Sequence, residues 1–169
     1  MATADLVTRW TIRVALALYM TGVVLRVRAG GRRSWLVLAR LAWAAGCAFF
    51  FMHVVSAFQF VHAWSHRAAY EETARQAAQV VGLAWGWGLY VNYAFAGVWA
   101  ADALWWLSWP DRYQARSHAI EGAVQGFLAF VAFNATVVFG TGAIRWAGLT
   151  AALLVALIWY TRCQCRQAA

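Results

Sequence analysis

The sequence has no lysine, one proline, three cysteines and only six acidic residues in 169 positions. Each scarcity removes a class of protein. With 12% charged and 64% hydrophobic residues, the chain lies far from the mix of water-soluble domains, roughly a quarter charged and half apolar. One proline beside 12 tryptophans argues against a turn-rich β protein and for long helices with aromatic residues at membrane interfaces. The cysteines, Cys47 in an apolar run and Cys163 with Cys165 near the C-terminus, are odd in number and badly spaced for a disulfide framework, so they set no redox compartment. The expected fold is an all-α polytopic membrane helix bundle, forming a single integral membrane domain over 1–169.

The basic charge is supplied by arginine alone. A net charge of +8 would suggest nucleic acid in a soluble protein. Here the arginines cluster in short gaps between apolar runs, so the lipid bilayer is the expected partner and nucleic acid is not. Near the N-terminus, Arg9 and Arg13 before an apolar stretch imitate a signal peptide. That stretch runs into Arg26, Val27 and Arg28 instead of a small-residue cleavage site, so it reads as an uncleaved first span.

Hydropathy and length place transmembrane helices at about 6–25, 35–64, 85–107, 119–139 and 144–160. The count is five, or four if the first segment lies along the interface. Residues 67–81 read as a short interfacial helix ended by Gly82. Pro110 stops the third span, and Gly140, Thr141 and Gly142 form a tight turn after the fourth. Arg26, Arg28, Arg32, Arg33, Arg112, Arg116, Arg162 and Arg166 fall on one side and Arg9, Arg67, Arg75 and Arg145 on the other. The positive-inside rule then puts the N-terminus outside and the C-terminus inside.

Polar groups retained in hydrocarbon are the functional candidates, because an Asp or Arg at the bilayer centre costs about 2.5 to 3.5 kcal/mol on insertion scales. If the second helix runs through residue 66, His62 and His66 are one turn apart on one face. Two histidines so placed can hold a divalent metal at the outer face, with Glu71 or Glu72 completing the shell. The competing reading is interfacial histidines bonded to water or headgroups. His53 lies about 180° round the same helix and reads as a bonded core histidine. An internal bis-histidine haem is disfavoured, since His118 belongs at the opposite end of the bundle from the other three histidines.

A second polar cluster forms if the third and fourth spans pair as a hairpin. It contains Asp102, His118 and Glu121, with Arg40 as the expected intramembrane ion-pair partner of one of the two acids. On the third span Tyr90, Asn92, Tyr93 and Trp99 form either a packing stripe or an aromatic slot for a flat ligand such as a quinone. Gly122 and Gly126 are a small-xxx-small pair suited to close helix contact. Asn134 and Thr136 are expected to bond between helices or to their own backbone.

Several stretches recur as a pattern: His62 to His66 (His-Ala-Trp-Ser-His), Gly86 to Tyr93 with Tyr90, Asn92 and Tyr93, then Trp99, Asp102, Trp105 and Trp106, and Phe133 to Phe139. Over about 45–150 this resembles an uncharacterised family of small bacterial polytopic membrane proteins. The resemblance implies a helix bundle in the bacterial cytoplasmic membrane and no particular reaction. No nucleophile, catalytic triad or phosphate loop is legible, so the sequence names no enzymatic chemistry. Three functions stay open: a membrane protein with a metal or small-ligand site at its outer face, a structural or assembly subunit among partner membrane subunits, and a transporter or channel built as a homo-oligomer.

Overall fold

The computed structural model describes the backbone of residues 2–167 and the side chains of residues 3–157. Among these residues there are seven α-helices, one π-helical turn and no strand. Helix α1 spans Ala2–Ala29, α2 Arg33–Phe60, α3 His66–Val81, α4 Gly88–Ser108, α5 Pro110–Gln114, α6 His118–Phe133 and α7 Ala143–Gln167; the π turn, Asn134–Val138, continues α6. Three stretches, Thr3–Ala29, Arg33–Phe60 and His118–Val138, are long and apolar enough to cross a membrane. The side chains of Cys163, Cys165, Arg162 and Arg166 lie outside the described residues.

Helices α1 and α2 form a tight antiparallel hairpin. Its turn uses Gly30 and Gly31 at φ +53° and +86°, a left-handed conformation that glycine adopts without steric cost. Close approach of the two helices depends on small residues facing each other. Ala15 and Ala39 have no exposed surface. A Cβ on Gly46 would stand 3.0 Å from the Trp99 ring and 3.2 Å from Leu18 Cβ. In lipid, where helices gain little from the hydrophobic effect, this contact is a main source of association energy. The aromatic core follows from it: Trp43 and Trp99 have ring centroids 5.5 Å apart, and Tyr19 meets Trp99 edge-on at 5.5 Å.

The second helix ends at Phe60, earlier than the hydropathy pattern suggests, and does not continue into α3. The connecting turn puts two non-glycine residues, Ala63 (φ 48°) and Trp64 (φ 58°), in the left-handed region. Each such residue costs about 1 to 3 kcal/mol unless its surroundings impose it. The surroundings here are specific: Trp64 N donates to Phe58 O at 3.0 Å, Ser65 N to His62 O at 2.8 Å, and Trp64 Nε1 to Gln59 Oε1 at 2.8 Å. Ser65 then caps α3 by accepting from Ala68 N, and Gly82 (φ 77°) closes it. Helix α3 is thus the separate amphipathic helix expected over 67–81, with its charges paired along its own surface.

At the far end of α6 the side chains of the π turn bond back to the last turn of α6. Asn134 Nδ2 donates to Phe130 O and Thr136 Oγ1 to Ala132 O, both at 2.8 Å, so these two polar residues satisfy local backbone. The chain then reverses at Gly140, where a Cβ would collide with the Thr136 carbonyl oxygen.

The glycine contacts predict a contrast in stability. Gly46→Leu should lower the unfolding midpoint in detergent, by overpacking of about 1 to 3 kcal/mol. Gly97→Leu, where an added Cβ meets nothing within 4 Å, should leave the midpoint unchanged or slightly raised.

Candidate functional site

Asp102, on the second-from-last turn of α4, is 4% exposed. A carboxylate so placed requires partners for both oxygens. Oδ1 accepts from Arg116 Nη1 at 2.5 Å, while Oδ2 accepts from Trp43 Nε1 at 2.9 Å and from the Tyr113 hydroxyl at 2.8 Å. Three separate pieces of chain supply these donors: α2, α5 and the connector that follows it. Pro110 starts α5 right after α4, turning the chain back so that Tyr113 and Arg116 reach the carboxylate. The Arg116 side chain is fully buried.

The network extends to α1 and α6. Arg26 Nη2 lies 2.5 Å from Glu121 Oε1, and Arg26 Nη1 donates to the Tyr113 hydroxyl at 3.2 Å. Glu121 Oε2 is 3.5 Å from Arg116 Nε. The aromatic rings complete the charge environment. Tyr113 stacks on Trp106 with centroids 4.7 Å apart and planes 5° from parallel. Arg116 stands over the Tyr113 ring at 4.0 Å, and Arg26 over Trp106 at 5.3 Å. Burial pushes the Tyr113 phenol well above its usual range, so it stays a neutral donor to Asp102.

Against expectation, the partner of Asp102 is Arg116 and that of Glu121 is Arg26. Arg40 forms no ion pair with either acid, and its Nε is buried without a hydrogen-bond partner among the described residues. The sequence places Arg40 and Asp102 at similar depth, but it does not show that α5 folds Arg116 back onto the acid. His118 starts α6 as an exposed residue and takes no part in the network. Arg26, Trp43, Tyr113 and Arg116 were not legible as site residues. The available signal was the spacing of Tyr113 and Arg116 just beyond Pro110, three positions apart and therefore on one side of a short helical turn.

The residues of the expected outer site do not share one helical face. His62 lies in the turn and His66 begins α3, so the break at Ala63 and Trp64 removes the shared helical face. His62 packs edge-on against Phe58 at 5.7 Å. The two ring nitrogens of His66 instead face tyrosine hydroxyls, Tyr93 at 3.1 Å and Tyr90 at 3.4 Å. Glu71 pairs with Arg67 at 2.7 Å, and Glu72 with Arg75 at 2.6 Å; the Arg75 guanidinium holds the Glu72 carboxyl below its ordinary range. Among the described residues no three His, Cys, Asp or Glu side chains converge as a metal-holding group. His53 Nδ1 meets the Thr8 carbonyl at 2.9 Å, as a bonded core histidine would.

The aromatic set on α4 also divides. Trp99 is 1% exposed and fills the core between Trp43, Tyr19, Phe50 and Phe95, so it lines no open slot. Tyr90, Asn92 and Tyr93 are exposed at the other end of the helix.

Beside the ion network lies a half-open cleft of about 420 Å³. Gly22, Arg26, Trp43, Trp106, Glu121 and Gln125 contribute to its lining, so its floor is charged and its walls aromatic. Gln125 Nε2 is buried with no hydrogen-bond partner among the described residues. No protein-family model matches the chain, and no match is found among curated proteins or solved structures.

The network predicts a strongly asymmetric mutational response. Asp102→Ala should destabilise by about 3 to 5 kcal/mol, because it leaves Arg116 buried and unpaired. The double variant Asp102→Leu/Arg116→Met should recover most of that loss in denaturant unfolding, since it removes both charges together.

Proposed function

We propose that this chain is an integral membrane protein crossing the bilayer five times and binding a small ligand in the cleft beside Arg26, Glu121 and Gln125. Three helices have the length and apolar character for spanning. Helix α4, 21 residues flanked by Trp85, Trp87 and Trp109, and α7 after the Gly140 reversal supply the other two spans in this reading. The positive-inside rule places the arginine-rich turns at Arg28 to Arg33 and at Arg112 in the cytoplasm. The resemblance to small bacterial polytopic membrane proteins supports that architecture.

The cleft carries the ligand reading. Its volume lies within the roughly 300 to 1,000 Å³ typical of small-molecule sites, and it combines apolar walls with a few convergent polar groups. The unpartnered Gln125 amide is the deciding observation, since a buried donor left unmade costs about 1 to 3 kcal/mol that a ligand would recover. The ligand site of this reading is therefore at the arginine-rich end, and the histidines of the other end are structural.

A second reading, an assembly subunit, has one observation of its own. A Cβ added at Gly122 or Gly126 meets nothing within 4 Å among the described residues, so none of these covers the small-xxx-small face of α6. That span is also the least buried of the three.

Topology and ligand binding are tested separately. In a chain whose native cysteines are replaced, single cysteines at Arg32 and Asp111 should react with an impermeant maleimide only from the cytoplasmic side, and those at Leu83 and Thr141 only from the other. Reaction of Asp111→Cys together with Leu83→Cys would show that α4 does not cross. For the cleft, native mass spectrometry of protein extracted in mild detergent should detect a bound small molecule. Val27→Trp, which fills the cleft from α1, should lose it. Equal bound mass in both proteins would refute the cleft as the ligand site.

A further inference from the structure

The charge pattern around the cleft restricts what it can hold. One cation and one anion line it and are matched, Arg26 with Glu121 at 2.5 Å, and behind them Arg116 is matched with Asp102 at 2.5 Å. The second oxygen of Glu121, 3.5 Å from Arg116 Nε, links the pairs into one balanced set. An anionic headgroup would have to displace Glu121 from Arg26. A cationic one would face two arginines. Either exchange breaks an ion pair in a weakly polar medium, where uncompensated charge is costly.

Arg116 Nε and Nη2 also lack a hydrogen-bond partner among the described residues, but Arg116 does not line the cleft, so the unpartnered group of the lining is a neutral one. Gln125 stands one turn after Glu121 on α6, so both side chains occupy one face, and its Nε2 is buried without a partner among the described residues. The group that satisfies it is an acceptor. Beyond it the lining is apolar, with Gly22, Val23 and Val27 of α1 facing Trp43 and Trp106. Helix α1 meets α6 at this level through the Arg26–Glu121 pair rather than by extensive packing, which leaves the space between them open.

Resting on the cleft as the ligand site, we infer that its ligand is an uncharged, carbonyl-headed amphiphile drawn from the bilayer. Its carbonyl oxygen accepts from Gln125 Nε2, and its apolar body lies against Trp43 and Trp106. The ion pairs stay intact when it binds. Glu121 and Arg26 act as a fixed polar floor, while Gln125 selects for the neutral acceptor.

The test compares three amphiphiles with tails of similar length, titrated against detergent-purified full-length protein and read by native mass spectrometry. The probes are a decyl-substituted benzoquinone, dodecyl phosphate and dodecyltrimethylammonium. The quinone is expected to bind saturably at one per chain, and Gln125→Leu to weaken it about tenfold, the loss of one well-made hydrogen bond. Gln125→Glu, which replaces the donor by an acceptor, should weaken it as much; both variants must keep the wild-type unfolding midpoint. Saturable dodecyl phosphate or dodecyltrimethylammonium binding that Val27→Trp removes, with no quinone binding, overturns the neutral-ligand inference and leaves the cleft reading standing. Quinone binding unaffected by either Gln125 variant also overturns the inference. No saturable binding of any probe, with Val27→Trp indistinguishable from wild type, overturns both.

Discussion

One buried carboxylate determines how the two packed halves of this protein meet. Asp102 draws Trp43 from α2, Tyr113 from α5 and Arg116 from the connector, and through the last two it reaches Glu121 on α6 and Arg26 on α1. An unpaired acid in hydrocarbon costs several kcal/mol, so these donors are held by necessity as much as by attraction. The balance is local. Every formal charge in the set has its counter-charge within the set, and the aromatic rings of Trp106 and Tyr113 supply the remaining stabilisation of the guanidinium groups.

The two ends of the bundle achieve polar satisfaction differently. At the α3 end the ion pairs are between neighbours on one helix, Arg67 with Glu71 and Arg75 with Glu72, and the side chains are largely exposed. Such pairs contribute little, about 0 to 1 kcal/mol each. At the arginine-rich end the pairs join residues distant in sequence, and the Arg116–Asp102 pair is shut away from solvent. The first arrangement can fray without consequence for the bundle. The second links α1, α2, α4 and α6, so a change there is felt by all four helices.

Hydropathy carries the helical class, the apolar character of α1, α2 and α6, and the isolated amphipathic α3, because these depend on local composition and period. It does not carry the break after Phe60. That break rests on left-handed Ala63 and Trp64, residue types that give no turn signal, and on bonds to Gln59, Phe58 and His62 that only the folded turn creates. The same limit explains the histidines: the spacing of His62 and His66 suggests a chelate only while the helix is continuous. At the other end Asp102 and Glu121 were legible as buried acids, since acids are rare here. Their partners were not, because depth along a span says how far a residue lies from the interface and nothing about which helices a short connector brings together.

The packing makes the cleft a consequence of the same joint. Helices α1 and α2 pack through small residues into one unit, and α6 attaches to α4 through Leu128 and Val131 in the shared core. Between these units the Arg26–Glu121 pair makes contact, and Gly22, Val23 and Val27 of α1 leave space in front of Trp43 and Trp106. The opening is thus not a packing error that a single larger residue would cure. Filling it with side-chain atoms would leave Gln125 unsatisfied, whereas separating the units further would expose Asp102 and Arg116 to hydrocarbon. In the proposed reading, a group that enters from the bilayer with its own acceptor meets the Gln125 amide and leaves the Arg26–Glu121 pair intact, which joins the cleft to the network.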